Sequence, residues 1–280
     1  KGPTAMGMAQ LLDDDSYEFS IVAAPDEIVP MIVQGQVDVA AVPSNLASVL
    51  YQKTDKNVSV LAVNTLGVLN IVERGDSVQS IKDLAGKKVY ATGQGATPEY
   101  TLRHILKKNG IDPDSGLTIQ WCADTTEALS YIAKDSEAIA MLPQPFATAA
   151  MGQVDDLRVA IDLNDAWAEI EDCDIVTGVV VARTDFVKEH PQAVETFLAE
   201  YEASIAYTND NATDAAELIA GYGIVAKAPL AEKAIPKCHI TFLRGQEMKD
   251  SVSGYLQILF DENPQAVGGT LPADDFYYGL

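Results

Sequence analysis

Residues 87–109 read KKVYATGQGATPEYTLRHILKKN, and the fold of the chain turns on how this stretch is read. Lys88 to Ala91 predicts a short strand, Thr92 to Thr97 a glycine turn, and the residues from about Pro98 a helix. Gly93 and Gly95 can take backbone angles that a Cβ disfavours, so the turn can be tight. Thr97 is placed to cap the helix, Pro98 suits its first position, and Glu99 complements the positive end of its dipole. Unpaired amides at such a helix start form a cup for an anionic or polar group.

The same strand–turn–helix cup is read at three more places. Lys1-Gly2-Pro3-Thr4 looks like the exit of a strand, with Thr4 capping a helix to Leu12 that carries Met6. Val37 to Val42 predicts a short apolar strand running through Pro43 into a helix that Ser44 or Asn45 would cap. Ala138 to Leu142 predicts another, meeting Pro143-Gln144-Pro145 and the small-residue helix FATAAMG. Between these, Tyr17 to Ala23, Val58 to Val63, Leu66 to Val72, Leu117 to Cys122, Leu157 to Asp162 and Val176 to Ala182 predict strands. From Thr184 onward the pattern is helical, led by HPQAVETFLAEYEASIAYT with Val194, Phe197, Leu198, Tyr201 and Ile205 on one face.

Strand–helix alternation through Leu142 implies right-handed βαβ units and mainly parallel sheets. The polar segment Arg74 to Leu84 fits one crossing between two lobes, and the run VTGVVVA the return. The expected division is lobe 1 from residues 1–73 and 182–280 and lobe 2 from 74–181. Ligands of open α/β sheets bind beyond the carboxyl ends of the strands, where the four cups would gather around a cleft.

Composition narrows the function. With 41 acidic against 19 basic residues the formal charge is −22, which repels nucleic acid and anionic lipid. No apolar run approaches the roughly 18 residues of a membrane helix. Cys122, Cys173 and Cys238 lack zinc spacing; a Cys122–Cys173 bridge is open, beside free buried thiols. Gly93-x-Gly95 misses the third glycine of a dinucleotide fingerprint, which is replaced by Pro98, and no Walker lysine-serine pair or GxSxG element occurs. His104, His190 and His239 show no metal or triad spacing, so no metal, cofactor or catalytic residue is expected. Trp121 and Trp167 suit core packing, and Glu169 to Asp174 a solvated loop.

KGPTAMGMAQLL, QGQVDVAAVPSN, SIKDLAGKKV with its glycine turn, and MLPQPFATAA resemble, across essentially the whole chain, the substrate-binding proteins of nitrate/sulfonate/taurine-type ABC importers. These are type II periplasmic binding proteins. The resemblance implies a two-lobed α/β fold with two crossings that closes on a small anionic or pyrimidine-like ligand by hinge motion. It places ligand contacts at Pro3, Thr4, Met6, Ser44, Asn45, Gln94, Ala96, Thr97, Gln144 and Pro145, to which the strand ends add Thr65 and Thr177. It further implies a permease partner, a monomer, and an extracytoplasmic location, periplasmic or as a Gram-positive surface lipoprotein anchored outside this stretch. The family's first strand and export signal are not in the numbered residues, which reads as a trimmed or processed product. An enzyme on the same scaffold, of the menaquinone or thiamine-pyrimidine type, is the alternative, and a receptor's sensor domain a third reading.

Overall fold

In the computed structural model, which describes all 280 residues, the decisive stretch is the strand Lys88–Ala91 followed by the helix Thr97–Lys108. Ala96, with extended backbone, is the N-cap, and Thr97 is already helical; no side chain caps this end. The expected capping role of Thr97 is therefore corrected. The reason is local: Glu99 reaches back to the Gly95 amide (2.7 Å) and the Ala96 amide bonds Gly93 O (3.1 Å), so the turn closes one residue early.

Nine strands form two sheets: β1 Val39–Pro43, β2 Val58–Thr65, β3 Leu69–Arg74, β4 Lys88–Ala91, β5 Thr118–Trp121, β6 Ile139–Pro143, β7 Leu157–Asp162, β8 Gly178–Arg183 and β9 Ile240–Leu243. The first has order β1-β8-β2-β9 and the second β5-β4-β6-β3-β7. The α/β class holds, but the sheets are mixed rather than mainly parallel. Every pair in the first sheet is antiparallel; in the second, β4 runs parallel to β5 and β6, and β3 antiparallel to β6 and β7. In the second sheet the strands that lead into helices, β4, β5, β6 and β7, share a direction. The strands that arrive from the other lobe run the opposite way to both their neighbours, β3 between β6 and β7 and β8 between β1 and β2.

That insertion moves the lobe boundary. β3 belongs to the second sheet, so the chain leaves the first at residues 66–68 rather than at Arg74. It returns through Val176 and Thr177 into β8. Two large clusters of the core then follow from the pattern of apolar positions. One cluster runs through both sheets, from Val60 and Val181 to Ile71 and Met141, and takes in Met248, Tyr255 and Leu259 of the helix Gly245–Glu262. That helix lies against Thr97–Lys108 of the second lobe, with Tyr255 and Thr101 hydroxyls 2.9 Å apart. A second cluster backs the first sheet with Val194, Phe197, Leu198, Tyr201 and Ile205 of the helix Pro191–Asp210, as the periodicity predicts.

The amino-terminal third departs from expectation. The first helix is a single turn, Pro3–Met6, followed by a 3-10 turn Leu11–Asp13, instead of a helix to Leu12. Tyr17 to Ala23 is extended, with alternating half-buried and exposed residues, yet it joins no sheet because no strand lies beside it. All three cysteines are free thiols. Glu171 is not solvated: His104 and Lys108 hold it at 2.8 and 2.6 Å.

Candidate functional site

Pro43, Gly178, Thr65 and Ile240 form one row across the end of the first sheet, each paired with the next. Pro143, Leu69 and Asn70, and Asp162 form the corresponding end of the second. The three-residue link Leu66-Gly67-Val68 holds these ends together. Its Val68 carbonyl accepts from the Gln144 amide (2.8 Å), its Gly67 amide donates to Asn164 Oδ1 (3.1 Å), and its Leu66 amide donates to His239 O (3.1 Å). The second link is clasped to the first sheet as tightly. The Thr177 amide donates to Thr65 O (3.0 Å), the Ser44 amide to Thr177 O (3.2 Å), and the Ser44 hydroxyl to Val176 O (2.5 Å).

Three buried polar atoms have no hydrogen-bond partner: Asn64 Oδ1, Thr65 Oγ1 and Gln144 Nε2. Asn64 and Thr65 end β2, and Gln144, directly after β6, is tied to the link through Val68 O. More than nine in ten buried polar groups in folded proteins are bonded, and leaving one unbonded costs about 1–3 kcal/mol. Their other atoms are fixed. Asn64 Nδ2 donates to Thr4 O and to the Tyr201 hydroxyl, both at 3.0 Å. Gln144 Oε1 accepts from the Thr148 hydroxyl (2.7 Å) and amide (3.3 Å). One carbonyl acceptor, one hydroxyl and one N–H donor are thus left unused at the junction of the lobes.

Gly178 makes the approach possible. A Cβ there would stand 2.5 Å from Asn64 Oδ1 and closer still to the Thr4 methyl. The opposite rim carries His239, whose Nδ1 lies 2.5 Å from Gly67 O and whose Nε2 lies 3.7 Å from Asp162 Oδ2. Burial pushes the Asp162 carboxyl above its ordinary value, against the pull of the Asn164 amide and His239.

The expected site residues divide. Thr4, Ser44, Thr65, Gln144 and Thr177 meet in this network, and Pro3 and Pro145 adjoin it in sequence. Ser44 is no cap, however: Pro43 is the N-cap, and both donors of Ser44 are spent on the second link. Asn45 turns to Ala266 O (3.2 Å) in the carboxyl-terminal segment. Met6 is fully buried in the cluster behind the first sheet, a packing residue. Gln94 and Ala96 are exposed and Thr97 half-exposed. The polar contacts of their turn are internal, and Gln94 lines a separate 300 Å³ hollow with Gly93, Trp121, Cys122 and Ala123. Of four helix-start cups, then, one is a single turn and one has its first amide committed. Asn64, Gly178, His239 and Asp162 were not anticipated. Asn64 carried a signal: with Thr65 it ends the otherwise apolar run VSVLAV, where a buried amide needs a partner.

The family described as NMT1/THI5 like matches residues 18–215. No curated protein sequence matches the chain. Among solved structures, an ABC transporter from Parabacteroides distasonis is similar at 24% identity and a TM-score of 0.83, over 99% of this chain and 95% of that one. The periplasmic aliphatic sulphonate binding protein SsuA from Escherichia coli is similar at 17% identity and 0.74, over 98% and 93%. A mutant of DszB in complex with biphenyl-2-sulfinic acid is similar at 12% identity and 0.71, over 99% and 94%. These likenesses establish the two-lobed α/β fold.

Proposed function

The chain belongs to the NMT1/THI5-like family, and from that premise we propose that it is the solute-binding component of an ABC importer, closing two lobes on a small molecule. The observation that carries this reading is the set of three unbonded polar atoms, Asn64 Oδ1, Thr65 Oγ1 and Gln144 Nε2, placed on both sides of the 66–68 link. A ligand that bonds all three bridges the lobes and stabilises the closed arrangement that a permease would receive.

The atoms also set the ligand's character. Gln144 Nε2 and the Thr65 hydroxyl suit a sulfonate or carbonyl oxygen, while Asn64 Oδ1 asks for an N–H. A taurine-like zwitterion or the edge of a pyrimidine offers both, whereas nitrate offers acceptors alone. No arginine or lysine joins the network, which disfavours a multiply charged phosphate. Lobe 1 then comprises residues before 66 and after 177, and lobe 2 the rest, with Pro3, Thr4, Thr65, Gln144, Pro145 and Thr177 nearest the ligand. The E. coli likeness, a periplasmic binding protein, and the P. distasonis one, an ABC transporter, support an extracytoplasmic protein acting with a membrane permease, and we read it as a monomer. The enzyme reading is not favoured: the similar E. coli structure is that of a binding protein, and burial pushes the Cys173 and Cys238 thiols up, so neither offers an activated nucleophile.

Thermal-shift measurement against taurine, alkanesulfonates, nitrate and pyrimidines tests the assignment. A ligand at a hundredfold excess over its Kd stabilises by about 2.7 kcal/mol. A shift with taurine or a pyrimidine is expected. Absence of any shift across the set, or turnover of the ligand by the purified protein, overturns the reading.

A further inference from the structure

Gly67, in the middle of the first link, is held from both lobes at once. Its amide donates to Asn164 Oδ1 of the second lobe (3.1 Å), and its carbonyl oxygen lies 2.5 Å from His239 Nδ1 of the first. His239 makes this contact from a strained backbone: its φ is 45°, in the left-handed region that a residue with a Cβ seldom occupies. Strain of that kind persists where the surroundings impose it, and it concentrates at sites that work. A carbonyl oxygen can only accept, so Nδ1 carries a proton of the ring. In the neutral imidazole that leaves Nε2 as a bare lone pair, and it faces Asp162 Oδ2 at 3.7 Å. The other carboxylate oxygen is already used, since Asp162 Oδ1 accepts from the Asn164 amide (2.8 Å). A lone pair opposite a carboxylate repels it; one proton between them makes the contact attractive across the lobes.

We propose that His239 is a positioning residue for the ligand: its Nδ1–H fixes the link between Thr65 and Gln144, and a single proton held between Nε2 and Asp162 ties the two lobes together there. The link starts directly after Thr65, and its Val68 carbonyl accepts from the Gln144 amide (2.8 Å). Turning Gly67 therefore shifts the spacing of two side chains that would bond the ligand. A tie between the lobes favours the arrangement in which one ligand touches both. Burial holds the Asp162 carboxyl above its ordinary value, so it keeps its proton to a higher pH than an exposed aspartate does, and Asp165 adds to that rise. β2 and the 66–68 link carry no charged residue. On the helix Pro191–Asp210, packed against β9, Glu195 is bonded to Arg244 and Glu200 to Tyr17, while Glu202 and Asp210 are exposed, as is Lys237 before His239. The effect on affinity rests on the lobe junction being the ligand site; the proton's position does not.

Two substitutions remove the shared proton and little else. His239→Asn keeps a donor in the place of Nδ1 and tolerates the left-handed backbone, but has nothing at Nε2. Asp162→Ser keeps a cap for the helix Leu163–Ala168 and is too short to reach the ring. Calorimetry measures the affinity for taurine, or for uracil where taurine does not bind, at pH 5.5 and pH 8. The parent is expected to bind roughly threefold more tightly at pH 5.5, the scale of a partly exposed charge pair, and each variant equally at the two values. A parent that binds equally at both, or a variant that keeps the parent's ratio, overturns the proton tie. NMR of the unliganded protein needs no ligand. At pH 8 the ring proton is expected on Nδ1; a proton on Nε2 instead overturns the positioning role. The Asp162 carboxyl carbon is expected to report the same titration step as the His239 ring nitrogens and to lose it in His239→Asn. A carboxyl profile that this substitution leaves unchanged overturns the tie. If neither solute binds while both NMR signatures appear, the ligand assignment fails and the proton tie stands.

Discussion

The Ser44 hydroxyl donates to the carbonyl oxygen of Val176 across 2.5 Å, tying the start of the helix Ser44–Lys53 to the link by which the chain returns to its first sheet. Ser44 is 1% exposed, so water cannot replace that bond. Substitution Ser44→Ala strands the Val176 carbonyl and is expected to cost about 1–3 kcal/mol of stability. Chemical denaturation reads the loss directly. A variant as stable as the parent would show that the hydroxyl clasps nothing of consequence.

Thr65 should behave in the opposite way, and Gln144 shares its effect on the ligand. Each holds a buried polar atom without a partner, and such an atom destabilises the unliganded protein. Thr65→Val keeps the shape and removes the idle hydroxyl, so the unliganded Tm should rise by the equivalent of about 1 kcal/mol. Ligand affinity should fall at the same time by roughly tenfold, the worth of one hydrogen bond. Gln144→Met tests the other lobe by affinity, which should fall likewise; it also removes the acceptor of the Thr148 hydroxyl and amide, so its unliganded Tm should fall rather than rise. Affinity unchanged in both variants would remove these atoms from the site.

Gly178 is predicted to tolerate no side chain, although its backbone is unstrained. The space a Cβ needs is taken by the Thr4 methyl and Asn64 Oδ1, and Asn64 is pinned by Thr4 O and Tyr201. Gly178→Ala should cost about 1–3 kcal/mol through overpacking and weaken ligand binding by displacing Asn64. Thermal melts with and without ligand separate the two effects. An Ala variant with parental Tm and affinity would mean that Thr4 moves aside freely.

The sequence foretold the repeated strand–turn–helix units because helix periodicity and glycine punctuation are local. The helix Pro191–Asp210 buries the five residues its spacing selects. What it could not show is which strands become neighbours. β8 reads as one more β-branched run, and only pairing reveals that it separates β1 from β2 and makes the sheet antiparallel. The site was half legible for the same reason. Thr65, Gln144 and Thr177 stand at strand ends that periodicity locates. Ser44 was misread as a cap because a serine at a helix start and a serine bonded to a carbonyl 132 positions away look alike until the chain between them is folded. Glu73 was passed over because one carboxylate in an apolar strand gives no hint of its partners.

Those partners make Glu73 the basis of a pH prediction. It is 1% exposed, 2.7 Å from Arg158, and accepts from the Ser77 hydroxyl (2.6 Å), the Ser77 amide (2.8 Å) and the Val78 amide (3.2 Å). Burial opposes its charge, but these bonds and Arg158 together hold its carboxyl below the ordinary value of 4.5. The unfolded chain therefore takes up this proton at a higher pH than the folded one. The stabilisation is complete above the unfolded value and is lost as pH falls through the folded one. Glu73→Gln should lower stability at pH 7 by about 2 kcal/mol, the scale of hydrogen bonds to a charged group. It should also flatten the fall in stability that the parent shows below about pH 4.5. Denaturant midpoints from pH 3 to pH 7 measure both effects, and parallel curves for parent and variant would place the acid sensitivity elsewhere.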